Sequence, residues 1–120
     1  MELSDYDFET AEAMLSSRRY LYVGFMCHQT IEKILKAYFI AIKNETAPFS
    51  HSLSYLAGKS DLWDKLSDEQ KATIDFLEPL NIETRYPTYK ERLMKSLTKE
   101  KCEMLISKTN DLREWIKLKL

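Results

Sequence analysis

Glycine, proline, cysteine and histidine are all scarce in this chain. Its 120 residues include two glycines, three prolines, two cysteines and two histidines. With so few glycines and prolines, the chain has little material for a sheet with many tight turns. The long stretches that lack both of these residues favour helices. Both cysteines, Cys27 and Cys102, fall at apolar positions of helical patterns, which favours buried reduced thiols over a disulfide.

Long apolar runs are also missing. The longest apolar stretches are too short and too interrupted to span a bilayer, and no basic segment followed by an apolar run opens the chain as in a signal peptide. We therefore expect a cytoplasmic protein with no membrane partner. The composition, 44% hydrophobic and 31% charged, is typical of a globular protein, and the length predicts one domain over residues 1–120.

The charge is nearly balanced in sum but not along the chain. A formal net charge of −1 argues against constitutive, charge-driven binding of nucleic acid. Residues 1–17 carry five acids and no Lys or Arg, and residues 60–83 carry seven acids against two lysines. Residues 85–101 carry six cations against two glutamates. This basic segment could serve an anionic ligand, or it could pair with the acidic helices of the same chain or of a second copy.

Four main amphipathic helices are predicted. The second, about Tyr20 to Lys43, is the best defined: its apolar stripe, at helical spacing, is Gly24, Cys27, Ile31, Leu35, Tyr38 and Ile42. This helix has apolar residues on another side as well: Tyr22, Met26, Ala37 and Ile40. Two apolar sides indicate that it lies between neighbouring helices or at a dimer interface.

Capping residues predict where the other helices begin. Ser4 can cap the first helix, Ser67 with Gln70 forms a capping box for the third, and Thr98 can cap the last. A short helix starts at 50–53, with Gly58 suited to a left-handed C-terminal position, and residues 81–97 read as irregular or briefly helical. The fold class is all-α: an antiparallel up-and-down bundle of four main helices plus a short fifth.

Two histidines and one arginine are the candidate functional residues. His28 and Glu32 lie one helical turn apart and can touch, but the third and fourth ligands of a metal site are not evident, so no metal is expected. His51 stands at a helix start, where it can cap backbone N–H groups, pack against the third main helix or reach the loop of Arg85.

Arg85-Tyr86-Pro87 allows two interpretations. The guanidinium of Arg85 suits a phosphate or a carboxylate, and Tyr86 and Tyr89 could stack on a base. Alternatively, Arg85 bridges helix ends, Tyr86 fills the core and Pro87 fixes the turn. The chain has no nucleophile elbow, phosphate-binding loop, dinucleotide fingerprint or zinc-cysteine spacing. The residues therefore predict neither a cofactor nor a catalytic residue.

These residues together resemble the HEPN family, small helical domains of prokaryotic nucleotide-related systems. The resemblance covers almost the whole chain and is carried by three blocks: His28-Gln29-Thr30-Ile31-Glu32-Lys33-Ile34-Leu35-Lys36-Ala37, Ser50-His51-Ser52-Leu53 and Arg85-Tyr86-Pro87. It implies a four- or five-helix bundle that commonly dimerises. Many members act with a minimal nucleotidyltransferase, as a toxin–antitoxin pair or as a binding partner.

The resemblance also implies a chemistry that this chain lacks in part. Catalytic members are metal-independent RNases that use an arginine and a downstream histidine at a dimer cleft. Arg85 matches that arginine loosely, but the corresponding positions downstream hold Lys90, Glu91 and Arg92. Lysine and arginine transfer protons poorly near neutral pH, which weakens the RNase interpretation, although His51 could substitute.

The sequence therefore predicts a non-catalytic module that is a homodimer and binds a nucleotide, RNA or a nucleotidyltransferase partner. The predicted ligand-binding residues are Arg85, Tyr86, Lys90, His51, Glu32 and Lys36. One alternative is a metal-independent RNase toxin with a degenerate Arg…His site. Another is a structural dimer in which Arg85 only shapes its loop.

Overall fold

A computed structural model describes residues 2–82 and 86–120 as helices and connecting loops, with no strand in these two ranges. The α-helices are α1 (Glu2–Ser16), α2 (Tyr20–Lys43), α3 (Leu53–Lys59), α4 (Asp68–Leu77), α5 (Pro87–Ser96) and α6 (Lys99–Lys117), and short 3-10 helices span Trp63–Lys65 and Glu78–Leu80. The all-helical prediction is confirmed. None of the helices in the described ranges is long and apolar enough to cross a membrane.

Helix α2 lies at the centre and contacts most of the other elements. Its predicted bounds agree with the structure, and Asn44, in a left-handed conformation with φ of 54°, ends it by donating its N–H to the carbonyl of Ile40. The predicted stripe is buried except for Ile42, which is half exposed. On the other apolar side, Tyr22 and Ile40 are also half exposed.

The start of α1 differs from the prediction. The helix begins at Glu2, so Ser4 lies inside its first turn and does not cap it. Ser4 is fully buried and donates its hydroxyl to the carbonyl of Thr30 on α2, at 2.8 Å. Asp7 accepts from the ammonium of Lys33 at 2.9 Å. Both side chains join two helices, because the packing of α1 on α2 places them against partners that local sequence does not show.

Helix α3 also differs. Ser52 is its N-cap, with the hydroxyl accepting from the backbone N–H of Tyr55 at 3.3 Å, and the helix continues to Lys59. Gly58 is therefore helical, and the prediction of a left-handed glycine is wrong. The left-handed residue is Asp61, with φ of 62°. The helix ends one residue after Gly58, with Ser60 as its C-cap.

The caps of α4 and α6 are confirmed. Ser67 and Gln70 form the reciprocal capping box, with backbone-to-side-chain distances of 2.8 and 3.1 Å. The hydroxyl of Thr98 accepts from the backbone N–H of Lys101 at 3.2 Å. These caps need only residues within one turn, so the sequence predicts them directly.

Helix α5 makes the number of described α-helices six, where four main helices and a short fifth were predicted. It has ten residues and buries none of them, and Pro87 occupies its first position. Leu97, just past its end, packs against the Gly24 position of α2. The antiparallel up-and-down arrangement of four main helices stays a prediction.

The two cysteines are buried and free, as predicted. Burial raises the pKa of the Cys27 thiol to about 12 and that of Cys102 to about 11. Both residues belong to the hydrophobic core that α2 and α6 share. They act there as small apolar side chains and not as nucleophiles.

Candidate functional site

A buried carboxylate on α2 lies at the centre of the candidate site. Only 3% of the Glu32 side chain is exposed. One oxygen, Oε2, accepts from Nζ of Lys36 at 3.0 Å, and the other, Oε1, lies 3.0 Å from Nδ1 of His51. A carboxylate that has lost its water requires such partners, because an uncompensated buried charge is costly. We call Glu32, Lys36 and His51 the Glu32 cluster.

His51 reaches this carboxylate from the loop between α2 and α3. An ionised carboxylate can only accept hydrogen bonds, so Nδ1 of His51 carries the proton and donates to Glu32. In the neutral ring, Nε2 then holds the lone pair. The side chain is 45% exposed. This arrangement gives the molecule a half-exposed imidazole with one fixed nitrogen and one that can accept a hydrogen bond or a proton.

Glu78, at the end of α4, holds the segment that follows His51. Its carboxylate accepts from the backbone N–H groups of Leu53 and Ser54, at 3.1 and 2.8 Å. It also accepts from the hydroxyls of Ser52 and Ser54, at 3.1 and 2.9 Å. A carboxylate at the first turn of a helix is stabilised by the free N–H groups and the helix dipole. Glu78 thereby fixes α3 and, with it, the loop of His51.

Of the three alternatives that the sequence leaves open for His51, the capping of backbone N–H groups is wrong. Ser52 and Glu78 cap α3, while the His51 imidazole bonds to Glu32 on α2. Sequence reasoning overlooked Glu78 altogether. The nearest signal is the alternation Ser50, Ser52, Ser54, which offers hydroxyls at a helix start but does not name the acid that they bind.

His28 lies on the buried side of Glu32. It is fully buried, its Nδ1 is 3.8 Å from Oε1 of Glu32, and neither ring nitrogen has a hydrogen-bond partner of normal geometry. Burial lowers the pKa of His28, while the negative charges of Glu32 and Glu78 oppose that shift. The residue is thus a neutral core histidine that contacts the carboxylate without a hydrogen bond. Within residues 2–82 and 86–120, no group of three or more His, Cys, Asp or Glu side chains could hold a metal ion.

The remaining predicted residues lie on or before α5. Tyr86 is 83% exposed, which overturns the interpretation that it fills the core. Lys90 is partly buried one turn later. Among the described residues, the side chains of Tyr86 and Lys90 do not join the hydrogen bonds of the Glu32 cluster. Arg85 lies outside the described residues. Of the six predicted ligand-binding residues, the structure brings together three, Glu32, Lys36 and His51.

Phe49 is a neighbour of His51 that sequence reasoning overlooked. Its side chain is 99% exposed, and its ring centroid lies 6.2 Å from that of His51, with the two planes tilted by 58°. The signal in the sequence is a large aromatic residue directly after Pro48, in a loop whose other residues are small or polar. An apolar ring left fully in water beside a polar cluster is available for contact with another molecule.

Fold and site together define an all-helical domain whose central helix carries a polar cluster with one exposed edge. A model of the HEPN domain matches residues 1–119, and the chain belongs to this family. Members of this family are helical modules that commonly dimerise. Many have roles connected with nucleic acids or are RNase toxins. No curated protein and no solved structure matches the chain significantly.

Proposed function

We propose that this chain is a non-catalytic HEPN module that binds a nucleotide or a nucleotidyltransferase partner and works as a homodimer. In this proposal it acts in the prokaryotic cytoplasm, with a minimal nucleotidyltransferase, as a toxin–antitoxin-like pair. The Glu32 cluster is the observation that carries the proposal. It places two nitrogen-bearing side chains, Lys36 on α2 and His51 in the loop before α3, on one buried carboxylate, and both side chains are partly exposed.

Charge explains why an anionic ligand suits this edge. Lys36 is 25% exposed and carries one positive charge, which Glu32 balances. With His51 protonated, Glu32, Lys36 and His51 together carry a net charge of +1, which favours an anionic ligand. The basic segment 85–101, to which Arg85 and Lys90 belong, adds six cations against two glutamates. Arg85, Tyr86 and Lys90 are proposed as further ligand contacts.

The non-catalytic part of the proposal rests on the downstream sequence. Residues 90–92 hold Lys, Glu and Arg, where a catalytic member of the family has its histidine. General acid–base catalysis is most effective when the pKa of the group is near the working pH, and lysine and arginine are far from it. Binding without turnover is the activity that this set of residues supports best.

Isothermal titration calorimetry with adenine and guanine nucleotides tests ligand binding. We expect Lys36→Gln to weaken binding about tenfold, the usual loss when one charged hydrogen bond is removed. Lys43→Gln is the matched control, because Lys43 also pairs with an acid, Asp61, but lies two turns further on, at the C-terminal end of α2. Equal binding by the two variants would contradict the role of the Glu32 cluster.

The proposed partners are tested separately. Sedimentation equilibrium of the purified chain measures whether it is a dimer. Co-expression with a nucleotidyltransferase encoded beside it should give a complex that survives purification and relieves any growth inhibition. A monomer that neither binds nucleotides nor retains this partner would overturn the proposal.

A metal-independent RNase is the second candidate, and the contact between Glu32 and His51 favours it. With Nδ1 held by Glu32, Nε2 of His51 could take the proton of a ribose 2′-hydroxyl. The 2′-oxygen would attack the adjacent phosphorus, and the 5′-oxygen would leave with a proton taken from water, giving a 2′,3′-cyclic phosphate. RNA incubated with the protein and a chelator should be cleaved, and His51→Ala and Arg85→Ala should abolish cleavage. Intact RNA at high protein concentration would exclude this candidate.

A further inference from the structure

Phe49 lies where a planar ligand could bind beside the Glu32 cluster. The side chain is 99% exposed, so the phenyl ring is accessible to a ligand. Leaving such a ring in water forgoes roughly 2 kcal/mol of burial free energy. Pro48 precedes it and restricts the backbone of the loop. A single exposed apolar residue needs no explanation by itself, and the position of this one is what distinguishes it.

That position is defined by His51. The two ring centroids are 6.2 Å apart, and His51 is fixed in turn by its hydrogen bond to the buried Glu32. The phenyl ring therefore lies beside His51, the exposed imidazole of the Glu32 cluster. The surface thus has an apolar ring next to a polar side chain that can carry charge. A nucleotide has matching parts, since a flat base is joined through ribose to a charged phosphate.

We infer that Phe49 is a base-stacking residue and that the ligand of the Glu32 cluster is a nucleotide whose unpaired base lies on the phenyl ring. The inference rests on the proposed nucleotide-binding function and adds a second subsite to it. Stacking on an aromatic side chain tolerates every base, because each has a π-face, and it favours a base that is not paired in a duplex. The ribose and phosphate would then face His51 and Lys36.

The test compares two ligands that differ only in the base, adenosine 5′-monophosphate and ribose 5-phosphate. Calorimetry with Phe49→Ala should show about tenfold weaker binding of the nucleotide, in line with the usual contribution of one stacked base, and unchanged binding of ribose 5-phosphate. Phe49→Trp should restore nucleotide binding. The ring has no contact with the core, so the melting temperature of both variants should equal that of the wild type.

Phe76→Ala is the matched control, since Phe76 is a partly exposed phenylalanine on α4, outside the Glu32 cluster. Equal nucleotide affinity of Phe49→Ala and wild type, while Lys36→Gln weakens both ligands, would overturn the stacking role and leave the proposed function standing. Failure of the wild type to bind either ligand would overturn the stacking inference together with the nucleotide-binding part of the proposed function. A dimer that dissociates in Phe49→Ala with nucleotide affinity unchanged would assign the ring to a protein contact instead.

Discussion

Oε1 of Glu32 lies 3.0 Å from Nδ1 of His51, although the two residues belong to different elements, α2 and the loop that follows it. The carboxylate is buried and the imidazole is half exposed. The contact therefore links the interior of the protein to its surface and determines which nitrogen of His51 faces solvent. Lys36 binds the other oxygen and balances the charge.

Glu32→Gln should lower the free energy of unfolding by about 1–3 kcal/mol. The amide cannot serve both Lys36 and His51 as a charged acceptor, and a buried group that loses its partner costs the full desolvation penalty. Urea denaturation measures the loss. The ¹⁵N shifts of the imidazole measure the tautomer, and the proton on Nδ1 should no longer dominate in the neutral ring.

Glu69→Gln is the control for Glu32→Gln. Glu69 pairs with Lys108 at 3.2 Å, but its side chain is 77% exposed, so the loss should be under about 1 kcal/mol. Equal losses in the two variants would contradict the structural role of the buried carboxylate.

Glu78→Ala should loosen α3 and lower the free energy of unfolding by about 1–2 kcal/mol, as expected when a helix cap is lost. The amides of Leu53 and Ser54, which donate to this carboxylate, should exchange with solvent faster than in the wild type. Hydrogen-exchange NMR reports both amides directly. Glu103→Ala, at an exposed position of α6, should leave both amides unchanged. Unaltered exchange in Glu78→Ala would show that Ser52 alone caps the helix.

Acidification should destabilise the protein through His28. Burial lowers its pKa from the ordinary value of 6.5, so the native state binds the proton more weakly than the unfolded chain. The contribution of His28 to stability is therefore complete above pH 6.5 and is lost as the pH falls toward the folded-state pKa. Urea denaturation across this range should show a smaller pH slope in His28→Leu than in the wild type. Identical slopes would mean that His28 does not cause the effect.

Gly58→Ala should stabilise the protein by about 0.5–1 kcal/mol, because the helical glycine loses more conformational freedom on folding than alanine does. A Cβ at this position would meet nothing within 4 Å. Gly24→Ala should gain less, since its Cβ would lie 3.2 Å from Cδ1 of Leu80. Thermal denaturation compares the two. Destabilisation by Gly58→Ala would indicate the left-handed conformation that the sequence suggested.

The candidate site could be predicted only in part from the sequence. Glu32, Lys36 and His51 were selected as ligand contacts, and the structure shows that they touch one another; whether they bind a ligand stays a prediction. Glu78 and Phe49 were overlooked, because an acid at a helix end and an aromatic residue in a loop are common and become informative only when their neighbours are known. The role of Arg85 also stays a prediction.

By itself, the sequence determined the four main helices, α1, α2, α4 and α6, and several of their ends. Apolar spacing along α2, the Ser67 capping box and the Thr98 cap involve residues within a turn or two of each other, so local chemistry is enough to specify them. Only the tertiary structure decided that His51 meets Glu32, 19 residues away, and that Ser54 meets Glu78, 24 residues away. Those contacts depend on how the helices pack, and packing is set by the burial of many apolar side chains at once, which no local spacing encodes.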